Sequence, residues 1–297
     1  MTVLGACILD VLGRPVETIP PGQGSVRLTE IRATAAGTAA GPAVDLAKLG
    51  ASVRVLGALG DDLLGDIVAA AMARHGVDTA GLVRKSEAQT SATILPIRPN
   101  GERPALHVPG ATRLLTHTDI DQANLEGSRA LLVGAPDALA GMTGDELADI
   151  AKRARSHGAL VAVDVLHPGR PQDLERLAPL LAQADWFLPN ADQLLALTGR
   201  DAVTGRDAVT GQAGLEAAVN DILALGTGGV AVTQGADGCL LATQPGRARE
   251  RLPAIEVDVV DTTGCGDGFT AGMLAGLLLG AAPADAAWLG VACGSLV

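Results

Sequence analysis

The feature that most restricts the fold is a regular alternation of strand-like and helix-like segments from residue 130 onward. Short apolar runs between turn residues indicate buried strands, and segments that are apolar at helical spacing indicate helices that cover them. Repeated strand–helix units imply a mostly parallel sheet with helices on both faces. The predicted strands are 130–133, 160–164, 186–189, 229–234 and 238–243, and the predicted helices are 144–156, 172–182, 215–225 and 266–280.

The first part of the chain continues this alternation and adds two segments with hairpin character. The predicted strand–helix units comprise strands 3–9 and 52–59 and helices 39–49 and 63–75. A Pro- and Gly-rich stretch at 14–32 indicates one hairpin, and the turn at 99–101, between runs 92–97 and 105–108, indicates another. We expect the two hairpins to form a small sheet outside the main one. No Ser- or Pro-rich linker divides the 297 residues, so one domain is expected.

Net charge and cysteine spacing exclude several classes of function. A formal charge of −11 argues against clustered Lys and Arg, so we expect neither a nucleic acid nor a membrane as a partner. The four cysteines lie far apart without a His at ligand spacing, which indicates free thiols rather than disulfides or a zinc site. The first apolar run lacks a basic n-region, and the longest apolar stretch, 273–282, is too short for a membrane span. These features predict a cytoplasmic protein.

The strongest indication of chemistry is the segment Asp261-Thr-Thr-Gly-Cys-Gly-Asp267, which follows a strand-like segment at 256–260 and begins an apolar helix. Its two glycines allow a turn with exposed N–H groups, and the helix start adds a positive dipole, so the loop suits phosphate oxygens. Asp267 could then accept the proton of a substrate hydroxyl beside a γ-phosphate. Taken alone, the segment also fits a tight turn with an N-capping Asp. It lies too late in the chain for a dinucleotide fingerprint and lacks the Gly-Lys-Ser/Thr of a P-loop.

The same segment resembles the C-terminal signature of the ribokinase-like sugar kinases, or PfkB family, with Cys265 where that family usually has Ala. The resemblance extends over most of the chain. Further similar segments are 36–41, 46–50 and 56–65 in the family's first signature, 107–119 after the second lid hairpin, and 232–238 beside the nucleotide. It implies a ribokinase-like three-layer α/β/α fold over residues 1–297, with a mostly parallel central sheet and a small β lid near 12–34 and 91–109.

The resemblance also implies a role for each matching residue, with Asp267 as the general base. The implied anion hole is Gly264, Cys265 and Gly266, the substrate-binding residues are Asp10, Gly37 and Gly41, and the nucleotide-binding residues are Asn190, Thr233, Gly235 and Gly238. Asp261 and Thr263 resemble positions that hold a monovalent cation in some members. The implied cofactors are ATP and Mg²⁺, with K⁺ as a further candidate. Without the resemblance, Asp10 fits an ordinary strand-end residue, and 235–238 fits a turn between two strands.

Three departures from the family pattern bear on function. Gly41 stands where the family usually has Asn, so one hydrogen-bonding group is missing from the sugar pocket. Gln193 replaces a Glu that helps to organise Mg²⁺ and phosphate, which removes one negative charge. Two alternatives follow: Asp192 supplies the charge instead, or the metal binds more weakly. Relatives continue beyond the position of Val297, which we expect to lie inside a late helix, and complete the adenine pocket there. This difference leaves open a shortened chain or an incomplete gene model.

Together these features predict an ATP-dependent kinase that phosphorylates a sugar hydroxyl. A catalytically weak sugar- or nucleotide-binding sensor remains an alternative, as does a nucleoside or phosphosugar kinase. A phosphosugar would require basic residues that converge on the pocket. We expect the arginines in or beside the lid to be solvated surface charges instead; these are Arg14, Arg27, Arg98, Arg103 and Arg113. The lid would expose strand edges and an apolar face, which predicts a homodimer through the lid.

Overall fold

The computed structural model describes residues 1–167, 171–200, 211–244, 249–259 and 262–297. Within these residues, strands and helices alternate along most of the chain. The strands are β1 (Thr2–Gly5), β2 (Ile8–Arg14), β3 (Glu30–Ala36), β4 (Arg54–Gly60), β5 (Asp78–Lys85), β6 (Ala92–Pro96), β7 (Leu106–Val108), β8 (Ala130–Gly134), β9 (Leu160–Asp164), β10 (Trp186–Phe187), β11 (Gly229–Thr233), β12 (Cys239–Thr243) and β13 (Arg249–Leu252). The helices are α1 (Gly37–Lys48), α2 (Leu63–Ala73), α3 (Gly144–Ser156), α4 (Pro171–Leu181), α5 (Ala191–Leu197), α6 (Gln212–Ala224), α7 (Cys265–Leu278) and α8 (Pro283–Gly294).

In the described part of the chain, a nine-stranded sheet has the order β13-β12-β11-β10-β9-β8-β1-β4-β5. The pairs from β11 through β5 are parallel, and β12 and β13 extend the sheet by antiparallel pairing. The carboxyl ends of the parallel strands therefore meet at one edge, where sites in open α/β sheets form.

Helices cover both faces of this sheet because successive strand residues point to opposite sides. On β1, Leu4 belongs to the core cluster that includes Leu147 of α3 and Leu177 of α4. Its neighbour Val3 belongs to the second cluster, together with Leu274 of α7. Helices α5 and α6 join the first cluster, and α1, α2 and α8 join the second. The predicted three layers result from this alternation.

A separate four-stranded sheet, which we call the lid, has the order β3-β2-β6-β7. Strand β2 pairs antiparallel with β3 and parallel with β6, and β6 pairs antiparallel with β7. The two segments with hairpin character thus join into one sheet. The first hairpin is larger than predicted, because its strands extend to residues 8 and 36 on either side of the 14–32 stretch.

The prediction of one strand at 3–9 is wrong, because the chain leaves the main sheet after Gly5 and enters the lid at Ile8. Gly5 packs so tightly on the neighbouring strand that a Cβ there would overlap the Gly134 carbonyl. The strand predicted at 256–260 is also absent over its described residues 256–259, and Val260 lies outside them. Val257 and Val259 are exposed, so the alternation of apolar and acidic residues in this segment does not correspond to a buried face.

Strands β5 and β13 and helix α5 were not predicted, and the expected late helix ends before Val297. Strand β5 lies at the edge of the sheet and is only partly buried, so its apolar signal is weak. Helix α5 is short, and β13 is mostly exposed. Helix α8 ends at Gly294, so Val297 follows the helix rather than lying inside it. Among the described helices, none is both long and apolar enough to cross a membrane.

Candidate active site

A cleft of about 1120 Å³ lies between the lid and the carboxyl edge of the main sheet. It brings together residues that are far apart in the sequence, from the lid, α1, α5, the turn after β11 and the start of α7. The predicted site residues that line it are Asp10, Gly37, Gly41, Asn190, Thr233, Gly235, Thr263, Gly264, Gly266 and Asp267. Cys265 and Gly238 are not among the lining residues, and Asp261 lies outside the described part of the chain.

The start of α7 has the geometry of an anion-binding loop. Gly264 caps the helix at φ 86°, a left-handed conformation that favours glycine. The first helical hydrogen bond runs from the Gly268 N–H to the Gly264 carbonyl at 2.8 Å. The N–H groups of the intervening residues therefore have no acceptor inside the helix, and the positive end of the helix dipole adds to their attraction for an anion.

Asp267 lies three residues into this helix start and faces the cleft, where it is half-buried. Burial raises the pKa of Asp267 well above its ordinary value, and the neighbouring carboxyl of Asp164 adds to the rise. Asp45 and Asp10 act on that pKa in the same direction, whereas the charge of Arg103 lowers it. A carboxyl with a raised pKa is a stronger base once it is ionised, which suits general-base chemistry.

Asp164 is a site residue that the sequence reasoning missed. It ends β9, lines the cleft and is only 6% exposed. Its pKa is raised to about 8, mainly by burial and in smaller part by the charge of Asp137, against the opposing effect of the hydrogen bond from Thr270 Oγ1 at 3.2 Å. Thr270 belongs to α7, one turn beyond Asp267. An Asp at the carboxyl end of a predicted parallel strand is a signal that could have identified this position.

The predicted substrate-binding residues occupy the lid side of the cleft. Burial raises the pKa of Asp10 on β2, although a hydrogen bond with Thr93 and the charge of Arg103 oppose the rise. Gly37 turns β3 into α1 at φ 84°, and a Cβ there would lie 2.7 Å from the Ala6 carbonyl oxygen. The next residue, Thr38, is 8% exposed and lines the cleft, and its hydroxyl has no hydrogen-bond partner among the described residues.

The predicted nucleotide-binding residues occupy the opposite side. Asn190 caps α5, and its backbone pairs with Thr233 in a parallel bridge that extends the sheet into the site. Gly235 lies in the turn that follows β11. Gly238 instead closes this turn beside β13, where a Cβ would overlap the Leu252 carbonyl. Its position therefore indicates a structural role in the turn.

Gln193 has a structural function that the sequence did not reveal. Its Oε1 accepts a hydrogen bond from the Asn190 N–H, and its own N–H donates to Asn190 Oδ1, both at 2.8 Å. Its Nε2 donates to the carbonyl oxygens of Val165 at 2.8 Å and Leu166 at 3.4 Å. The side chain thus ties the start of α5 to the residues that follow Asp164, and it does so through a donor that Glu lacks at neutral pH.

Two of the arginines that we expected to be solvated surface charges line the cleft. Arg14 and Arg103 reach it from the lid because the lid folds over the sheet edge, which no local sequence pattern indicates. Arg103 Nη1 lies 3.4 Å from Thr263 Oγ1, beside the anion-binding loop. Across the described residues, no group of three or more His, Cys, Asp or Glu side chains is arranged to enclose a metal ion.

Comparisons with known proteins agree on the family and the fold. The sequence profile described as pfkB family carbohydrate kinase matches residues 1–297. Fructokinase-1 from Oryza sativa subsp. japonica is 28% identical over 245 residues, which cover 80% of this chain and 72% of that protein.

Two solved structures match closely in fold. A ribokinase from Arabidopsis thaliana, complexed with ribose and ATP, superposes with a TM-score of 0.81 at 23% identity, covering 99% of this chain and 91% of that one. A putative ribokinase II from E. coli, in complex with ATP and Mg²⁺, superposes with a TM-score of 0.78 at 19% identity, again covering 99% and 91%. The predicted ribokinase-like fold is confirmed.

Proposed function

The chain belongs to the pfkB family of carbohydrate kinases and is a phosphotransferase that acts on a sugar hydroxyl, and we propose that it transfers the γ-phosphate of ATP with Asp267 as general base. The observation that carries this proposal is the position of the Asp267 carboxyl at the anion-binding start of α7, inside the cleft that Asp10 also lines. A sugar hydroxyl between Asp267 and the γ-phosphate would lose its proton to Asp267.

The residues around Asp267 would have separate roles in sugar binding, charge stabilisation and nucleotide binding. Asp10 and the unpaired hydroxyl of Thr38 lie where they would bind sugar hydroxyls, because buried polar groups require partners. The N–H groups of Gly264, Cys265 and Gly266 would stabilise the negative charge that develops on the transferred phosphoryl group. Asn190, Thr233 and Gly235 would hold the nucleotide on the other side of the cleft. A single kinase domain over 1–297 would contain both halves of the site.

The donor set in the cleft fits Mg²⁺ bound mainly through the nucleotide. Asp164 is a buried carboxyl whose pKa of about 8 reflects unfavourable burial of its charge, and a cation would relieve that cost. Asp164 and Asp192 would supply oxygen ligands, directly or through water, together with the phosphates of ATP. When bound, Mg²⁺ neutralises phosphate charge. A K⁺ ion near Thr263 and Asp261 stays a prediction.

The outer face of the lid supports the proposed homodimer. Ile31 is 72% exposed and Ile94 is 58% exposed, and Leu106 and Val108 on β7 are also exposed. Ile94 pairs directly with Leu106, and Val108 lies on the same face of β7, so these three residues form one apolar surface. Ile31 lies on the same face of the sheet, on the far side of β2. A second copy of the chain would remove this surface from water.

The test of the proposed activity is ADP release from Mg²⁺-ATP with a panel of sugars and sugar derivatives. Asp267→Asn should lower kcat roughly 100-fold or more, because general-base catalysis is lost, and should leave ATP binding by calorimetry intact. Asp285→Asn is the matched control, since Asp285 also lies in the first turn of an apolar helix but is exposed and outside the cleft. If no acceptor is turned over while ATP or a sugar still raises the melting temperature, the chain is a sensor instead.

A further inference from the structure

The lid presents guanidinium groups to the acceptor side of the cleft. On β2 the alternate residues Asp10, Leu12 and Arg14 all line the cleft. Arg32 on β3 lies opposite Leu12 and lines it too, and Arg103 reaches it from the connection between β6 and β7. The protein as a whole has a formal charge of −11, and the floor of the same cleft carries carboxyl groups. The arginines of the lid therefore give the upper side of the cleft a charge opposite to that of its floor.

Arg32 is held in place yet keeps unused donors. Its Nε and Nη2 atoms donate to Glu30 Oε1 at 3.1 and 2.6 Å. The same Glu30 accepts a hydrogen bond from Arg14 Nε at 2.6 Å, so one carboxylate orients two guanidinium groups. A guanidinium has five N–H donors, and the Nη1 donors of Arg32 have no partner among the described residues.

Arg103 is the second cation of this surface, and it forms no ion pair within the described residues. Within that part of the chain, its one hydrogen bond is the 3.4 Å contact from Arg103 Nη1 to Thr263 Oγ1. Its charge lowers the pKa of both Asp10 and Asp267, which places it near the reacting end of the acceptor site. Arg32 lies farther out, because Asp10 pairs with Thr34 and Arg32 is two residues beyond, about 7 Å along the strand.

A neutral sugar gives these arginines no partner of matching chemistry. Hydroxyl groups can bind the carboxyls of Asp10 and Asp267, whereas a planar guanidinium matches carboxylate and phosphate oxygens, to which it can donate two parallel hydrogen bonds. We propose that the acceptor carries a second group that is anionic, a phosphate or a carboxylate, and that Arg32 and Arg103 of the lid bind it. This inference rests on the proposed kinase function and replaces the expectation that the lid arginines are only solvated.

The test uses acceptor pairs that differ in one anionic group. The pairs are D-ribose with D-ribose 1-phosphate, D-fructose with D-fructose 6-phosphate, and D-glucitol with D-gluconate. We expect the anionic member of at least one pair to have a kcat/KM at least about tenfold above its neutral partner. The first two pairs report a phosphate and the third reports a carboxylate.

Charge-removing variants assign the effect to the lid. Arg32→Gln should raise KM for the preferred anionic acceptor about tenfold or more, with KM for neutral acceptors and for ATP within about twofold of the wild type. Arg103→Gln should raise KM for the same anionic acceptor about tenfold or more. Arg98→Gln is the matched control, because Arg98 also lies in the lid and pairs with a carboxylate, Glu102 at 2.9 Å, but does not line the cleft. It should change none of these constants.

The outcomes separate this inference from the kinase proposal. Phosphorylation of neutral sugars with no advantage for any anionic partner would overturn the inference and leave the kinase proposal standing. A change in the KM for ATP alone would likewise overturn it, since the arginines would then bind the nucleotide. If no acceptor is phosphorylated, the kinase proposal fails, and calorimetric binding of the same pairs decides the inference, which is overturned if the anionic member has no advantage.

Discussion

The Asp267 carboxyl packs directly against the Cα atom of Gly41. A Cβ at position 41 would overlap Asp267 Oδ2 and lie 2.6 Å from Asp267 Cγ. Gly41 therefore does more than omit the amide that the family usually places there, because it leaves room for Asp267 in the conformation that faces the cleft. Helices α1 and α7 pack closely enough that residue 41 controls the position of the proposed base.

Gly41→Ala tests this contact. The added methyl group should rotate the short Asp267 side chain away, and we expect kcat to fall as much as 100-fold, since catalysis is sensitive to displacements of about 1 Å. The melting temperature and the calorimetric affinity for ATP should change little, because only one side chain must move. A variant with wild-type kcat would show that Asp267 does not act from this position.

Asp164→Asn tests whether the buried Asp164 carboxyl keeps its proton in the folded protein. The pKa of Asp164 is raised to about 8, whereas an Asp in an unfolded chain titrates near 4. Between these values the unfolded state releases the proton that the folded state keeps, so this carboxyl contributes stability that is full below pH ~4 and is lost as the pH rises through ~8. The slope is at most about 1.4 kcal/mol per pH unit.

The Asn variant cannot ionise and should escape this loss. In urea unfolding without Mg²⁺ or nucleotide, the free energy of unfolding of Asp164→Asn relative to the wild type should increase from pH 5 to pH 8. A difference that stays constant over this range would show that Asp164 is already ionised in the folded protein.

Gln193→Glu tests the structural use of the amide. A carboxylate would keep an acceptor for the Asn190 N–H but would place an oxygen against the Val165 carbonyl in place of the Nε2 donor. We expect a loss of about 1–3 kcal/mol in the free energy of unfolding at pH 7, measured with urea. Gln172→Glu, at an exposed position in the first turn of α4, is the control and should not destabilise. An unchanged stability for Gln193→Glu would contradict the inferred role.

Ile94→Asp tests the proposed dimer. A charge in the middle of the outer lid face should prevent burial of that face, so light scattering should show a dimer for the wild type and a monomer for the variant. Leu279→Asp provides the control, because Leu279 is 83% exposed but lies at the end of α7, away from the lid. A monomeric wild type would remove the basis of this proposal.

The alternation of apolar runs predicted most of the fold because both the strand and the helix periods are local properties of the chain. Strand β9 and helix α3 match their predicted bounds, since each is flanked by clear turn residues. The predictions failed where burial and periodicity differ, as at the exposed residues 256–259, or where a glycine lets the chain cross between sheets, as after Gly5.

The family, the position of Asp267 at a glycine-rich helix start and a minority of the residues that line the cleft could be inferred from contiguous sequence motifs. Three relationships became visible only in the folded chain: Gly41 leaves space for Asp267, Gln193 ties α5 to the residues after Asp164, and Arg32 and Arg103 line the cleft. These relationships join residues from separate elements, and side-chain contact and desolvation depend on distances in space rather than on spacing along the chain.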